Sequence, residues 1–236
     1  MVNIKINGIE CSVEEGTTIL EAARANGIRI PTLCWLKDIN EIGACRICVV
    51  EMTGARSLVA SCMYPISKFD EGKNILTNSP SVLESRKMTL ELLLSNHKKE
   101  CLYCSRSGNC ELQSLCQELG VKHEPAFDGV RNEYEIDDSA AHMTRDNEKC
   151  INCRRCIAAC TNVQGIGVIG ANYRGFKTSI GSPFDMDLAD TACVSCGQCI
   201  AVCPTGALNE KDDTDAERQP FFPRRWCPWD IRRLRR

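Results

Sequence analysis

The sequence predicts an α+β protein made of several small domains held together by metal centres. Residues 3–13 alternate polar and apolar side chains around Gly8, and a stretch with helix-capping residues follows, which indicates a hairpin and a helix. Cysteine accounts for 18 of the 236 residues, far more than a small apolar core requires. The segments 150–160 and 193–203 repeat one cysteine spacing and therefore predict two similar sites.

Composition and charge exclude several classes of function. The net charge of −2 lacks the basic excess that is typical of nucleic-acid-binding domains. No apolar run reaches the length of a membrane span, and residues 1–8 lack the pattern of a secretory signal. We therefore expect a cytoplasmic protein, in which many cysteines favour metal ligation over disulfides.

The N-terminal part predicts a hairpin and one capped helix. Strands are expected at 3–7 and 9–13, with Gly8 in the turn. Thr18 and Glu21 form a capping-box pattern at the start of a helix that Gly27 ends. Loops and short strands are expected from residue 34 to residue 62, including 47–52.

Two further helices and a polar connector are predicted next. Ser79 and Pro80 cap a Leu-rich helix over 82–95, and a shorter helix covers 111–119 before Gly120. The predicted domains and linkers are 1–78, 79–120, a connector at 121–145, 146–209, and a charged linker with a basic, aromatic tail at 210–236. Because exposed Trp and Phe are unfavourable, we expect this tail to dock on another subunit.

The repeated cysteine units carry the strongest chemical signal. Each has the spacing C-x2-C-x2-C-x3-C, in which three thiolates surround one 4Fe-4S cluster and the fourth, at the start of a following helix, ligates the other cluster. The predicted ligand sets are Cys150, Cys153, Cys156 with Cys203, and Cys193, Cys196, Cys199 with Cys160. Residues 146–207 resemble bacterial two-cluster ferredoxins. Zinc is the alternative, although zinc sites rarely use this spacing.

A second cysteine group lies in the N-terminal domain. Its members are Cys34, Cys45, Cys48 and Cys62. Together with the preceding hairpin and helix, this spacing resembles the 2Fe-2S domain of FeFe-hydrogenases and of the large iron-sulfur subunit of respiratory complex I. The resemblance implies a β-grasp fold and a 2Fe-2S cluster.

A third group combines one histidine with three cysteines. Its members are His97, Cys101, Cys104 and Cys110. Taken alone, this set could bind zinc or a 4Fe-4S cluster. Its place between the other two groups resembles the His-ligated 4Fe-4S cluster of the same two families, in a small helical domain. The cofactors implied are therefore one 2Fe-2S and three 4Fe-4S clusters.

Several other residues of reactive type are assigned no site. Cys11 and Cys116 are expected in the core, Cys227 is expected as a structural or interface thiol, and His123 and His142 belong to the polar connector. Residues 165–170 match G-x-G-x-x-G, but they lie inside the ferredoxin repeat instead of between a buried strand and a helix. We expect a hairpin there and no dinucleotide site.

The resemblances imply an electron-transfer subunit with no catalytic residues of its own. Residues 1–207 resemble the electron-transfer region of FeFe-hydrogenases, and the catalytic domain of that family would need cysteines beyond Cys203, where only Cys227 lies. We expect a hetero-oligomeric, electron-bifurcating complex in which a flavin- and NAD(P)-binding subunit exchanges electrons with ferredoxin through this chain. The alternatives are an electron-input subunit for a separate hydrogenase or formate dehydrogenase, and an iron-sulfur redox sensor.

Overall fold

The computed structural model describes residues 1–122, 127 and 129–211, and its N-terminal part contains a five-stranded mixed sheet. The strands are β1 (Val2–Ile6), β2 (Ile9–Val13), β3 (Val49–Met52), β4 (Val59–Ala60) and β5 (Asn74–Leu76). Their order in the sheet is β2-β1-β5-β3-β4. β1 pairs with β5 in parallel, whereas the other neighbours are antiparallel. The sheet therefore places β3 and β5, which lie far along the chain, beside the N-terminal hairpin of β1 and β2.

Local sequence signals explain the hairpin and the first helix. Asn7 and Gly8 both have positive φ, which suits the tight turn between β1 and β2. The predicted capping box is present at α1 (Ile19–Ala25), where Thr18 accepts a hydrogen bond from the Glu21 N–H. The apolar face of α1 packs in the same core as the buried side chains of β1.

The second helix connects the sheet to the next domain. α2 (Pro80–Ser95) begins at the predicted Ser79 cap and ends just before His97. Arg86 on this helix is 4% exposed and donates hydrogen bonds to the carbonyls of Ile47 (2.9 Å) and Val49 (2.8 Å). The helix is thereby fixed against the segment that carries the cysteines of the first domain. α3 (Glu111–Glu118) follows at the predicted place.

The C-terminal part contains two short helices and two small sheets. The helices are α4 (Arg155–Ala158), continued by a π-helical turn (Ala159–Val163), and α5 (Gln198–Val202). The strands are β6 (Met143–Arg145) paired with β9 (Leu208–Glu210), and β7 (Gly170–Asn172) paired with β8 (Ser179–Gly181). A hairpin is expected at residues 165–170, and the observed one, β7 and β8, begins at Gly170, the last residue of that motif.

Two sequence-based expectations about this part are wrong. Met143–Arg145 is a strand and not part of a connector, because its partner β9 lies more than sixty residues away and leaves no local signal. Cys160 lies in the middle of the helical segment 155–163, and Cys203 directly follows the last residue of α5, so neither stands at a helix start. None of the helices in the described ranges is long and apolar enough to cross a membrane. The predicted docking tail, its Cys227, and His123 lie outside the described residues.

Candidate metal centres

The four cysteines of the N-terminal domain form two close pairs in its interior. All four are buried, with Cys45 the most exposed at 8%. The sulfurs of Cys48 and Cys62 lie 3.2 Å apart, and the Cys45 N–H lies 3.5 Å from the Cys34 sulfur. Within each pair the hydrogen bond between the two thiols lowers the pKa of one of them, Cys45 or Cys48, and raises the pKa of its partner.

The eight cysteines of the repeated units surround two separate cavities. Cys150, Cys153, Cys156 and Cys203 line the first, and Cys160, Cys193, Cys196 and Cys199 line the second. Each cavity thus receives three cysteines from one unit and the fourth from the other unit. This is the exchange that the spacing predicts.

The two cysteine loops share an unusual backbone. Asn152 and Arg154 in the first loop have φ of 54° and 61°, and Ser195 and Gly197 at the equivalent positions of the second loop have φ of 56° and 71°. A non-glycine residue in this left-handed region costs roughly 1–2 kcal/mol. The left-handed conformation recurs at the same places, and in the first loop the Asn152 N–H lies 3.4 Å from the Cys150 sulfur. The loops are shaped around their thiols.

Burial makes these thiols poor acids by themselves. It raises the pKa of Cys150 to about 12 and that of Cys153 and Cys199 to about 11. A cationic metal reverses this effect because the thiolate is the ligand form. These cavities therefore have the donor chemistry of a site that binds a metal with loss of protons.

The histidine and three cysteines of the third group lie at the junction with the C-terminal part. His97 is 7% exposed, and its Nδ1 has no hydrogen-bond partner within the described part of the chain. Burial lowers its pKa to about 4, so the imidazole remains neutral, as a metal ligand requires. Burial raises the pKa of Cys110, and the nearby Cys101 and Cys104 add to the rise.

One interface joins the first domain to the C-terminal part. Asn40 is 3% exposed, and its side-chain amide donates to the carbonyls of Cys34 (2.7 Å) and Cys153 (3.1 Å). These carbonyls belong to two different cysteine groups. Nearby, Asn162 donates to the Ile39 carbonyl at 3.0 Å.

A second interface joins the histidine-containing group to the C-terminal part. Arg155, with a side chain 5% exposed, makes a bidentate ion pair with Glu111 at 2.6 and 3.0 Å. The Glu111 N–H donates to the Pro204 carbonyl, and Arg106 donates to the Cys203 carbonyl. A side chain at Gly206 would meet the Cys104 sulfur at 2.5 Å, so this contact requires glycine.

Sequence reasoning misses some residues of these sites. Asn40 and Gly206 act across domain boundaries, which no local pattern reveals. The sequence assigns His142 no role, yet it lines the second cavity, and Arg145 lines the first. Their Nδ1 and Nη1 atoms are buried and have no hydrogen-bond partner among residues 1–122, 127 and 129–211. Cys11, by contrast, is 2% exposed and lies in the core of the first domain. Cys116 is partly buried and packs against a group of buried apolar side chains that contains Leu115.

Three family models match consecutive parts of the chain. They describe a 2Fe-2S iron-sulfur cluster binding domain at residues 1–79 and an NADH-ubiquinone oxidoreductase-G iron-sulfur binding region at residues 86–125. A 4Fe-4S dicluster domain matches residues 149–207. The matches follow the three cysteine groups in order. The chain is therefore a mixed α/β assembly of ferredoxin-type domains.

Curated relatives share this region. The NADP-reducing hydrogenase subunit HndD of Solidesulfovibrio fructosivorans is 46% identical over 90% of this chain. The NADPH-Fe(3+) oxidoreductase subunit alpha of Geobacter sulfurreducens is 35% identical over 89%, and an NADH-quinone oxidoreductase subunit of Rhizobium meliloti is 33% identical over 98%. The chain spans 36%, 24% and 25% of the length of these relatives, respectively.

A solved structure matches the chain over nearly its whole length. A chain of NAD+-reducing NiFe hydrogenase in the H2-reduced state superposes with a TM-score of 0.81 at 30% sequence identity. The match covers 90% of this chain and 88% of that chain. Taken with the three domain matches, it shows that this chain belongs to the family of iron-sulfur electron-transfer subunits of NAD(P)H-linked oxidoreductases.

Proposed function

We propose that this chain holds one 2Fe-2S cluster and three 4Fe-4S clusters and relays single electrons between a flavin subunit and ferredoxin or another acceptor. The proposed ligands of the 2Fe-2S cluster are Cys34, Cys45, Cys48 and Cys62. The first 4Fe-4S cluster is assigned to His97, Cys101, Cys104 and Cys110. The other two 4Fe-4S clusters are assigned to Cys150, Cys153, Cys156 and Cys203, and to Cys160, Cys193, Cys196 and Cys199. When bound, such clusters accept and donate one electron at a time.

The arrangement of the thiols supports each assignment. A 2Fe-2S cluster takes two thiolates at each iron, and the first group offers two close pairs, Cys34 with Cys45 and Cys48 with Cys62. The two cavities of the repeated units support the crossed sets. For the third group, His97 has a neutral imidazole whose Nδ1 has no hydrogen-bond partner among the described residues, and both properties suit a ligand role.

The domain description follows from these sets. The five-stranded mixed sheet supports a β-grasp domain at about residues 1–78, and α2 and α3 frame a small helical domain to residue 120. We extend the two-cluster domain to begin at β6, because β6 pairs with β9. A cytoplasmic location remains part of the proposal, since thiolate ligands require a reducing compartment.

One observation carries the relay function. One group of packed buried side chains contains proposed ligands of three different iron-sulfur clusters. These ligands are Cys34, Cys45, Cys110 and Cys153. Leu33, Ile47 and Leu90, each 0% exposed, fill the space among them. This packing excludes water and fixes the three sites against one another. Such an arrangement serves transfer between sites inside the protein better than exchange with dissolved small molecules.

The relatives support the choice of partners. Their names describe an NADP-reducing hydrogenase, an NADPH-Fe(3+) oxidoreductase and an NAD+-reducing hydrogenase, each of which handles a two-electron nicotinamide. A chain of one-electron sites fits between a flavin that oxidises the nicotinamide and one-electron acceptors. We accordingly propose a hetero-oligomeric complex with a flavin- and NAD(P)-binding subunit, and electron bifurcation to ferredoxin as its overall reaction.

Anaerobic purification of the native complex tests this function. The tagged chain is expected to bring down a flavoprotein subunit, and NADH or NADPH should then bleach the iron-sulfur absorbance of the complex within seconds. A hydrogenase or formate dehydrogenase catalytic chain without a flavoprotein would favour the electron-input alternative. A chain that purifies without any redox subunit and is not reduced would contradict the relay and favour a redox sensor.

A further inference from the structure

Arg145 lies in the wall of the cavity formed by Cys150, Cys153, Cys156 and Cys203. Its side chain is only 11% exposed. Nη2 pairs with Asp137 at 2.9 Å, whereas Nη1 is buried and has no hydrogen-bond partner in the part of the chain that the structure describes. A buried guanidinium N–H without an acceptor is destabilising, so its retention calls for an explanation.

The surrounding structure holds this guanidinium in place from three sides. The Arg145 backbone exchanges two hydrogen bonds with the Asp137 backbone (2.8 and 3.0 Å). Arg145 also pairs with Leu208 in the β6–β9 sheet. On a third side lies Gly181 of β8, where a Cβ atom would come within 3.1 Å of Nη1. The hairpin that follows the glycine motif therefore provides the space that the guanidinium occupies.

We propose that Arg145 donates a hydrogen bond from Nη1 to a sulfur of the 4Fe-4S cluster bound by Cys150, Cys153, Cys156 and Cys203, and so raises the reduction potential of that cluster. Four of the residues that line this cavity are cysteines, and hydrogen bonds to sulfur are one of the means by which proteins set cluster potentials. Arg is charged at all physiological pH values, so the donor is permanently cationic. A cation stabilises the more negative reduced state more than the oxidised state.

The equivalent place in the second cavity is apolar. The second unit follows the first at an offset of 43 residues, so Leu188 corresponds to Arg145, and Leu188 lines the cavity of Cys160, Cys193, Cys196 and Cys199. The two proposed ferredoxin clusters have matching ligand sets and matching loop backbones. Arg145 therefore distinguishes two otherwise similar sites, and we infer that it makes the first cluster the easier of the two to reduce.

This inference rests on the proposed ligand sets, and its test distinguishes a wrong role for Arg145 from wrong ligand sets. In an anaerobic redox titration followed by EPR on the full chain, Arg145→Gln should lower the midpoint potential of the first ferredoxin cluster. Loss of one charged hydrogen bond is expected to change the ratio of reduced to oxidised cluster about tenfold at fixed potential, or about 59 mV for one electron. The potential of the second cluster should change less.

Arg174 provides the matched control for charge. It is exposed and is not among the residues that line this cavity, so solvent screens its charge. Arg174→Gln should therefore leave the potential nearly unchanged. Equal shifts in Arg145→Gln and Arg174→Gln, or no shift in either, would overturn the inference.

If Arg145→Gln loses iron, a second variant, Asp137→Asn, tests the role of Arg145. This variant preserves the shape of the side chain that pairs with Arg145 but removes its negative charge. It should raise the midpoint potential of the first ferredoxin cluster. An unchanged or lowered potential would contradict the role of Arg145. Failure of the wild-type chain to show two 4Fe-4S signals from this domain would instead reject the ligand sets themselves.

Discussion

Asn40 is the single residue whose removal should most weaken the connection between the first domain and the C-terminal part. Its amide is 3% exposed and donates to the Cys34 carbonyl at 2.7 Å and to the Cys153 carbonyl at 3.1 Å. Asn40→Ala removes both donors and leaves two carbonyls in a buried interface. Because a buried acceptor without its donor costs about 1–3 kcal/mol, we expect a loss of about 2–4 kcal/mol.

The rate at which iron is released to a chelator measures this loss. Unfolding of a protein with bound clusters is not a two-state equilibrium, so the barrier to cluster loss is the useful quantity. A barrier lowered by about 2 kcal/mol accelerates release about 30-fold. The 2Fe-2S absorbance and the signal of the cluster bound by Cys153 should disappear together, since one side chain joins both loops.

Asn162 supplies the control at the same interface. It is exposed and donates to the Ile39 carbonyl, which does not belong to a proposed ligand. Asn162→Ala should change the release rate less than about threefold, which corresponds to a loss under about 0.7 kcal/mol. Wild-type release from Asn40→Ala, or equal acceleration in both variants, would refute the reasoning.

Two other substitutions probe different parts of the fold. Gly206→Ala places a methyl group 2.5 Å from the Cys104 sulfur and should remove or distort the His97 cluster, with a loss of up to about four iron atoms. Gly170→Ala, where no atom lies within 4 Å, is the control, and full iron with an unchanged EPR spectrum in Gly206→Ala would contradict the contact. Asp70, 1% exposed, accepts hydrogen bonds from Tyr64, Ser67 and Lys73. Burial alone would raise its pKa, but the bonds from Lys73 and Ser67 outweigh burial and lower it to about 2. The stabilisation is therefore complete above the ordinary pKa near 3.9 and is lost only as the pH falls through about 2. Asp70→Asn should lower the barrier to unfolding of the first domain by about 2–3 kcal/mol, equally from pH 6 to pH 8, as measured by the rate at which denaturant removes the 2Fe-2S absorbance. A penalty that varied across this pH range, or none, would exclude this role for Asp70.

The parts of the fold that could be predicted from sequence are those determined by neighbours in the chain. Thr18 and Glu21 lie three residues apart and specify the start of α1, and Ser79 does the same for α2. The cysteine spacing likewise predicts the two sets that line separate cavities, because a short loop around a cluster admits few other intervals.

The missed features depend on contacts between residues far apart in sequence. The sequence places β6 in a connector because three residues with one buried side chain give no pattern, and only pairing with β9 makes them a strand. Asn40 meets Cys153 across 113 positions, and a lone Asn in a loop predicts only a turn. In the sequence Arg145 is one of many cations, and only the fold places Asp137 and Gly181 around it. Burial and partners, not residue type, identify such residues.

Quantitative metal and sulfide analysis of the anaerobically purified full chain, combined with EPR and Mössbauer spectroscopy, tests the central claim most directly. Four clusters on the proposed ligand sets predict about 14 iron atoms and 14 sulfides per chain, with one 2Fe-2S and three 4Fe-4S signals and no stoichiometric zinc. About 10 iron atoms with one zinc would show that His97, Cys101, Cys104 and Cys110 bind zinc. Zinc in the other sets, or the absence of a 2Fe-2S signal, would contradict the account as a whole.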